Sequence, residues 1–225
     1  QLFYLEKNYK KKDEKARADF YYEIREQFNR GRNKINYKQF SAKWTKRAAE
    51  LIFLNKTCFN GLFRFNSKGE FNVPTGKYKN PKILDENNLR NAANLLQLAN
   101  IQSTDFKTMK TEVKTPSFVY FDPPYRPLNQ TSGFTAYSKE TFGDEQQKEL
   151  ARLFAKLHEQ GAKVMLSNSD PKNINPGDDF FDELYAGFHV SRVPARRAIN
   201  SNAAKRNAIN EIIVTNYPVI RKKFQ

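Results

Sequence analysis

The sequence predicts an α/β chain built on a doubly wound sheet. Three observations carry this. Residues 117–121, Ser-Phe-Val-Tyr-Phe, form a continuous apolar, β-rich run of the kind found in a parallel strand covered on both faces. A helical pattern over 143–160 follows, with Leu150, Leu153, Phe154 and Leu157 on one side. A second strand pattern, over 162–167, comes next, and strand, helix, strand is the crossover unit of such a sheet.

The elements follow in chain order. Residues 14–29 set Phe20, Tyr21, Ile24 and Phe28 at helical spacing, and Gly31 is the stop. A second helix is predicted over 38–54, where Phe40, Trp44, Ala48, Leu51, Ile52 and Phe53 make the expected core stripe. Residues 55–82 change character. Gly61, Gly69, Gly76, Pro74 and Pro81 punctuate them, and Phe59, Phe63, Phe65, Phe71 and Tyr78 alternate with cations. Asn66-Ser67-Lys68-Gly69 reads as a turn between two short extended pieces. So long a loop-rich stretch, with so many rings, points to a functional segment. Asp85 caps a helix over 86–98, and Ile101 starts a short strand leading to Asp105. Beyond residue 167 come a short helix over 179–185 and an antiparallel pair near 188–193 and 210–216. The change of pattern sets the domains at 1–84 and 85–225.

Composition narrows the function. The 225 residues carry a net charge of +15, with a pI near 9.8. Basic side chains outnumber acidic ones 21 to 10 over residues 1–100 and 18 to 14 thereafter. A solvated basic surface accounts for part of this, but the balance favours a polyanionic partner, since cations gain affinity by releasing counterions from phosphates. No apolar run approaches the ~20 residues of a membrane-spanning helix. Lys10, Lys11 and Lys12 are too short a cluster, with acids on both sides, for membrane-surface binding. One cysteine, Cys58, and two histidines leave no internal disulfide and no cysteine- or histidine-built metal site, and Cys58 is expected to be a packing residue. No signal segment follows Gln1, so the expected location is the cytoplasm.

The sharpest local signal is Asp122-Pro123-Pro124-Tyr125, directly after the apolar strand. Open α/β sheets place their sites at that carboxyl edge. Two prolines stiffen the backbone and remove two N–H donors, leaving carbonyls to accept. A carboxylate, a carbonyl and an aromatic face together grip a planar heterocycle bearing an exocyclic amino group. The competing reading, a rigid loop with a capping Asp, is weakened by the position after the strand. Between Glu183 and Glu211 there are five cations, Arg192, Arg196, Arg197, Lys205 and Arg206, and no acid; this suits phosphate contact, or a solvated hairpin. Asn168 and Asp170 receive no role.

DPPY after a strand resembles the catalytic motif of amino-methylating DNA methyltransferases, and Asp in first place is similar to the adenine-N6 group. Arg126-Pro127-Leu128 and Gly133-Phe134-Thr135-Ala136-Tyr137 resemble the same loop in Dam-type enzymes. Residues 54–82, LNxxxFNGLxRFNxKGEFNVPxGKYKxP, resemble those enzymes too, as does the stretch from Ala198-Ile199-Asn200-Ser201 to Arg206. The likeness runs from about residue 20 to 217. It implies a Rossmann-like S-adenosylmethionine-dependent methyltransferase sheet with an inserted helical and loop-rich DNA-recognition region. It implies transfer of a methyl group from S-adenosylmethionine to N6 of adenine in double-stranded DNA, at GATC, by base flipping.

Residue by residue, the resemblance implies that Asp122 and the Pro123 carbonyl hold the target amino group, that Pro124 stiffens the loop and that Tyr125 stacks on the flipped base. Asp105 is implied to bond the cofactor's adenine, with Phe106 beside it and Asp122 bordering the cofactor. Arg64 would read a guanine, Leu62 and Pro74 would touch bases, Asn60 a phosphate, and Phe59 would wedge into the stack where the family usually has Tyr. Lys77, Lys139, Arg197, Asn200, Ser201 and Arg206 are the other implied DNA contacts. The family opens with a strand and an FxGxG loop for the methionine end of the cofactor, and no glycine precedes Gly31 here. A block of about 30–40 residues is therefore expected ahead of Gln1. The alternatives are a second chain supplying it, or a module that binds GATC without cofactor.

Overall fold

The computed structural model describes residues 1–108, 116–128, 142–195 and 209–219. They form two compact units, Gln1–Ile101 and Gln102–Gln225.

The first unit is helical. Helix α1 (Leu2–Lys10), which the sequence did not suggest, buries Leu2, Leu5 and Tyr9. Helix α2 (Glu14–Gly31) starts where Asp13 accepts the Ala16 N–H and buries Tyr21, Ile24 and Phe28, the i, i+3, i+7 stripe of an amphipathic helix. Helix α3 (Ala42–Thr57) brings Phe53 edge-on to Tyr9 and Phe20, with ring centroids 5.5 and 5.6 Å away. Full burial of one such ring contributes roughly 1.5–3 kcal/mol. The expected stripe on this helix holds at Leu51, Ile52 and Phe53 and is corrected at the other positions. Ala49, Phe53, Leu54 and Thr57 face the core, whereas Ala48 and Phe40 are exposed. Phe40 and Tyr37 instead gather on Trp44, outside that core. Helix α4 (Glu86–Leu96) is capped by Asp85, as expected, which accepts from Asn88.

Residues 58–76 form a loose hairpin on α2. Bridges join Cys58 to Thr75 and Phe65 to Phe71. Asn66 makes the expected turn, its Oδ1 accepting from the Lys68 and Glu70 N–H groups. Asn29 holds both backbone groups of Phe71, at 3.1 and 2.8 Å, and Tyr21 donates to the Val73 carbonyl at 2.8 Å. Cys58 is buried, and burial pushes its thiol up, so it packs as expected.

The second unit carries a mixed sheet of strands β1 (Phe118–Phe121), β2 (Lys163–Ser169), β3 (His189–Ala195) and β4 (Ile209–Thr215), in spatial order β1-β2-β4-β3. β1 and β2 are parallel, and helix α5 (Asp144–Glu159) lies between them in sequence. β4 runs antiparallel to both its neighbours, so the expected terminal pair is present. Gln146 reaches back to the Gly143 N–H and starts α5. Leu150, Phe154 and Leu157 of α5 then pack on Val164, Leu166, Ile212 and Val214, together with Phe181 and Tyr185 around the short helix α6 (Phe180–Leu184).

Two expectations are corrected here. Residues 101–105 are not a strand: the segment has one apolar side chain, Ile101, and it is exposed, so nothing anchors a ladder. β1 is covered on one face only. Val119 and Phe121 join the core, while Phe118 and Tyr120 are about half exposed.

Candidate functional site

Asp122 to Tyr125 leave the carboxyl end of β1, and each group there has a definite setting. Ser167 on β2 donates to Asp122 Oδ1 at 3.2 Å. Tyr120 Oη lies 2.8 Å from the same Ser167 oxygen. Ser167 has one proton and gives it to Asp122, so Tyr120 is the donor to Ser167. The result is a relay, Tyr120 to Ser167 to Asp122, which holds one carboxylate oxygen. The other, Oδ2, is unengaged among the described residues.

The two proline carbonyls differ. Pro124's accepts from Gln147 Nε2 of α5 at 3.2 Å. Pro123's has no donor among the described residues. Gln147 Oε1 in turn accepts from Asn168 Nδ2 at 3.2 Å, so the amide cannot turn over without losing both bonds. Asn168 Oδ1 accepts from the Arg126 N–H at 2.9 Å, and Ser169 Oγ donates to the Arg126 carbonyl at 2.6 Å. Gln147 and Asn168 are fully buried. The end of β2 therefore ties down the peptide that follows the motif. Arg126 completes the anchor: its guanidinium bonds Asp144 at 2.8 Å and Asp178 at 2.8 Å and lies over the Phe180 ring. Tyr125 donates to Glu211 Oε2 on β4 at 3.3 Å, and burial pushes its phenol up, so it stays neutral.

Asp105 and Phe106 sit in a 3₁₀ turn. Asp105 Oδ1 accepts from the Lys107 N–H at 2.9 Å, and its second oxygen is unengaged among the described residues. Phe106 is half-buried, 5.8 Å from the Phe142 ring. A free carboxylate oxygen to accept from the amino group, beside an apolar ring for the flat face, is what an aminopurine requires. These residues fit the adenine end of S-adenosylmethionine.

In the first unit, Asn60 and Gly61 take the left-handed conformation, with φ of 53° and 61°. Asn tolerates this and Gly meets it without strain. The turn leaves Phe59 half exposed, anchored by its N–H on the Pro74 carbonyl at 2.9 Å. Leu62 is half-buried against the core and Pro74 is exposed. Arg64 Nε is held by Asn72 Oδ1 at 2.8 Å, which fixes the inner edge of the guanidinium and leaves Nη1 without a partner among the described residues. Lys77 is exposed on the wall of a cleft of about 820 Å³ that Lys15, Arg17, Tyr78 and Lys79 also line. Gly76 is obligatory there: a Cβ would stand 2.5 Å from the Tyr78 ring and 2.7 Å from the Cys58 carbonyl.

Lys139, Arg197, Asn200, Ser201 and Arg206 lie outside the described residues. Arg192 is not the phosphate ligand its basic stretch suggested, since it pairs with Asp182 at 2.6 Å and Asp170 at 3.1 Å. Sequence reasoning also passed over Ser167, Asn168, Gln147 and Glu211. The available signal was the polar run Ser167-Asn168-Ser169-Asp170 ending an otherwise apolar strand at the sheet's carboxyl edge.

Residues 1–199 match the D12 class N6 adenine-specific DNA methyltransferase family. The chain is 50% identical over 206 residues to the Type II methyltransferase M.MjaIII of Methanocaldococcus jannaschii, covering 91% of this chain and 67% of that protein. It is 42% identical over 174 residues to the Type II methyltransferase M1.LlaDCHI of Lactococcus lactis, covering 76% and 59%. It is 34% identical over 201 residues to the DNA adenine methylase of Escherichia coli K12, covering 89% and 66%. The chain thus spans about three fifths to two thirds of the length of these curated relatives. The mixed four-stranded sheet is consistent with the fold of S-adenosylmethionine-dependent methyltransferases.

Proposed function

The chain belongs to the D12 class of N6 adenine-specific DNA methyltransferases, and from that premise we propose that it methylates N6 of adenine within GATC in double-stranded DNA, after flipping the base out of the duplex. The observation that carries this reading is the pair of acceptors left unengaged among the described residues, Asp122 Oδ2 and the Pro123 carbonyl, on successive residues at the carboxyl end of β1. An adenine amino group has two N–H bonds, and its lone pair is delocalised into the ring. Two acceptors, one for each N–H, favour the pyramidal form and direct the lone pair away from the ring. S-adenosylmethionine supplies a methyl group on a positively charged sulfur, and Asp105 and Phe106 would hold its adenine end.

The chain's own part is positional and electrostatic. Asp122 and Pro123 orient the amino group and stabilise the charge that develops on its nitrogen. Tyr125, neutral and tethered to Glu211, offers a ring for stacking. Flipping costs a few kcal/mol, which that stacking and a Phe59 wedge offset. Arg64, with its inner edge fixed by Asn72, suits a bidentate guanine contact through its outer edge. Leu62 and Pro74 supply apolar base contacts, and Asn60 and Lys77 phosphate contacts.

The test is methyl transfer from labelled cofactor to otherwise identical duplexes with and without GATC. Label confined to adenine in the GATC duplex is expected. With the full-length protein, equal labelling of both duplexes would overturn the sequence assignment, and no labelling of either would overturn the activity.

A further inference from the structure

Between Glu26 and Glu50 the chain holds seven cations and no acid. Four of the seven are engaged. Arg30 pairs with Glu26 and Lys46 with Glu50, Arg47 donates to the Phe28 carbonyl, and Arg32 donates to the Lys68 carbonyl. Lys34, Lys38 and Lys43 are exposed and have no partner among the described residues. In the sequence they interleave with a ring cluster that the first unit's core does not use. Tyr37 and Phe40 lie 5.6 and 6.0 Å from Trp44, and are 59% and 75% exposed. Trp44 Nε1 donates to the Asn36 carbonyl, and Asn36 Oδ1 accepts from the Lys38 N–H, so the segment is a built surface rather than a passing loop. Arg32 joins it to the hairpin turn at Lys68, the tip of the segment assigned above to base reading.

Three exposed cations without partners among the described residues, interleaved in the sequence with exposed rings in a stretch without one acid, complement a phosphodiester backbone. We propose that residues 32–44 form a second, sequence-independent DNA surface that grips duplex flanking the target site and lengthens the footprint beyond the bases the hairpin reads. The inference rests on the DNA-methyltransferase reading and adds a partner surface to it. The lysines contact phosphates, and Tyr37 and Phe40 lie against the sugar edge. Such contacts set affinity and register but not sequence choice.

The experiment compares the parent with the triple variant Lys34→Gln/Lys38→Gln/Lys43→Gln, on a short duplex that just covers the target and a long one with the same centre. The parent is expected to bind the long duplex more tightly, with a steeper salt dependence. In the variant that advantage disappears, and the slope of log K against log salt on the long duplex becomes shallower by about 2–3, at roughly 0.9 for each phosphate that a lysine no longer neutralises. Its ratio of cognate to single-mismatch binding on the short duplex stays at the parent value. The triple Lys→Arg variant restores the long-duplex advantage. An unchanged length and salt dependence in the Gln variant overturns the proposal, as does equal loss on both duplexes. Methylation of the short duplex by the parent is scored separately, so failure of the activity is distinguishable from failure of this surface.

Discussion

Asn168→Asp swaps one NH₂ for an oxygen at a fully buried position, and the network around it predicts the outcome. Asp keeps the acceptor that Arg126 and Ser169 use, but it presents a second acceptor to Gln147 Oε1, formerly 3.2 Å from a donor. While the new carboxyl is ionised, Gln147 can relieve that clash only by turning its amide over. Its oxygen then faces the Pro124 carbonyl, where a 3.2 Å hydrogen bond used to be. One of the two contacts is repulsive in either rotamer. One of the two hydrogen bonds is lost in either rotamer, and a buried acceptor is left without a donor, at about 1–3 kcal/mol for such a group. The expected loss is therefore about 1–3 kcal/mol by urea denaturation, with an unchanged m-value. The loop bearing Asp122 and Pro123 also loses the tether that fixes Pro124, so kcat should fall more than KM rises. Gln147→Glu, which removes the same donor from Pro124, should reproduce the kinetic defect. A stability loss below about 1 kcal/mol, smaller than one orphaned group costs, would refute the argument that this network is closed.

Three shorter predictions concern other sites. Asp122→Ala should abolish methyl transfer with DNA affinity within a few fold, and retention of more than about a tenth of the activity would remove its orienting role. Arg64→Ala should relax discrimination at one guanine by about 1–3 kcal/mol in kcat/KM on single-base variants; a uniform loss with a shallower salt dependence would make it a phosphate contact. Burial raises the Glu50 carboxyl above the ordinary carboxylate range, with Lys46 3.8 Å away as partial compensation. The folded state therefore holds that proton more tightly, and stability falls as pH rises from the unfolded value towards the folded one. Glu50→Gln should show a higher Tm than the parent at pH 7 and lose that advantage below about pH 4, under the reference carboxylate range; an equal Tm at both pH values would contradict this.

Much of the fold was legible because periodicity reports burial directly. Tyr21, Ile24 and Phe28 on α2, and Leu150, Phe154 and Leu157 on α5, are where their spacing puts them. On α3 the same reasoning held for Leu51, Ile52 and Phe53 but failed for Phe40, Trp44 and Ala48. Phe40 and Trp44 are large and apolar, but they cluster with Tyr37 at the helix start, and the helix rolls Ala49 and Phe53 inward. Composition cannot distinguish a ring buried in the core from a ring spent on a surface cluster. Residues 117–121 failed in a related way: an unbroken apolar run reads as covered on both sides, yet Tyr120 is half exposed with its hydroxyl engaged to Ser167. The motif itself was legible, since Asp-Pro-Pro-Tyr after a strand is a local pattern. Its supports were not, because Gln147, Ser167, Asn168 and Glu211 come from three other elements, and only the sheet register brings them together.

That division has a physical basis in how the grip works. Two prolines restrict φ, but they also remove the N–H donors by which a loop is usually fastened to its neighbours. A Pro-Pro peptide can be held from its carbonyls alone, and the proposed reaction needs one of those carbonyls for substrate. The structure meets both demands by spending Pro124's carbonyl on Gln147 and leaving Pro123's unengaged, and by fastening the chain again at the first residue that recovers an N–H and bonds it to β2, Arg126. Both backbone groups of Arg126 are bonded to β2, and its side chain bridges two carboxylates. Asp122 is similarly held through one oxygen and open at the other. In the proposed reaction the acceptors would thus be aimed before any base arrives, so orientation would not be deducted from binding energy at the moment of reaction. It follows that loosening either fastening point should raise the barrier even where Asp122 and Pro123 themselves are untouched.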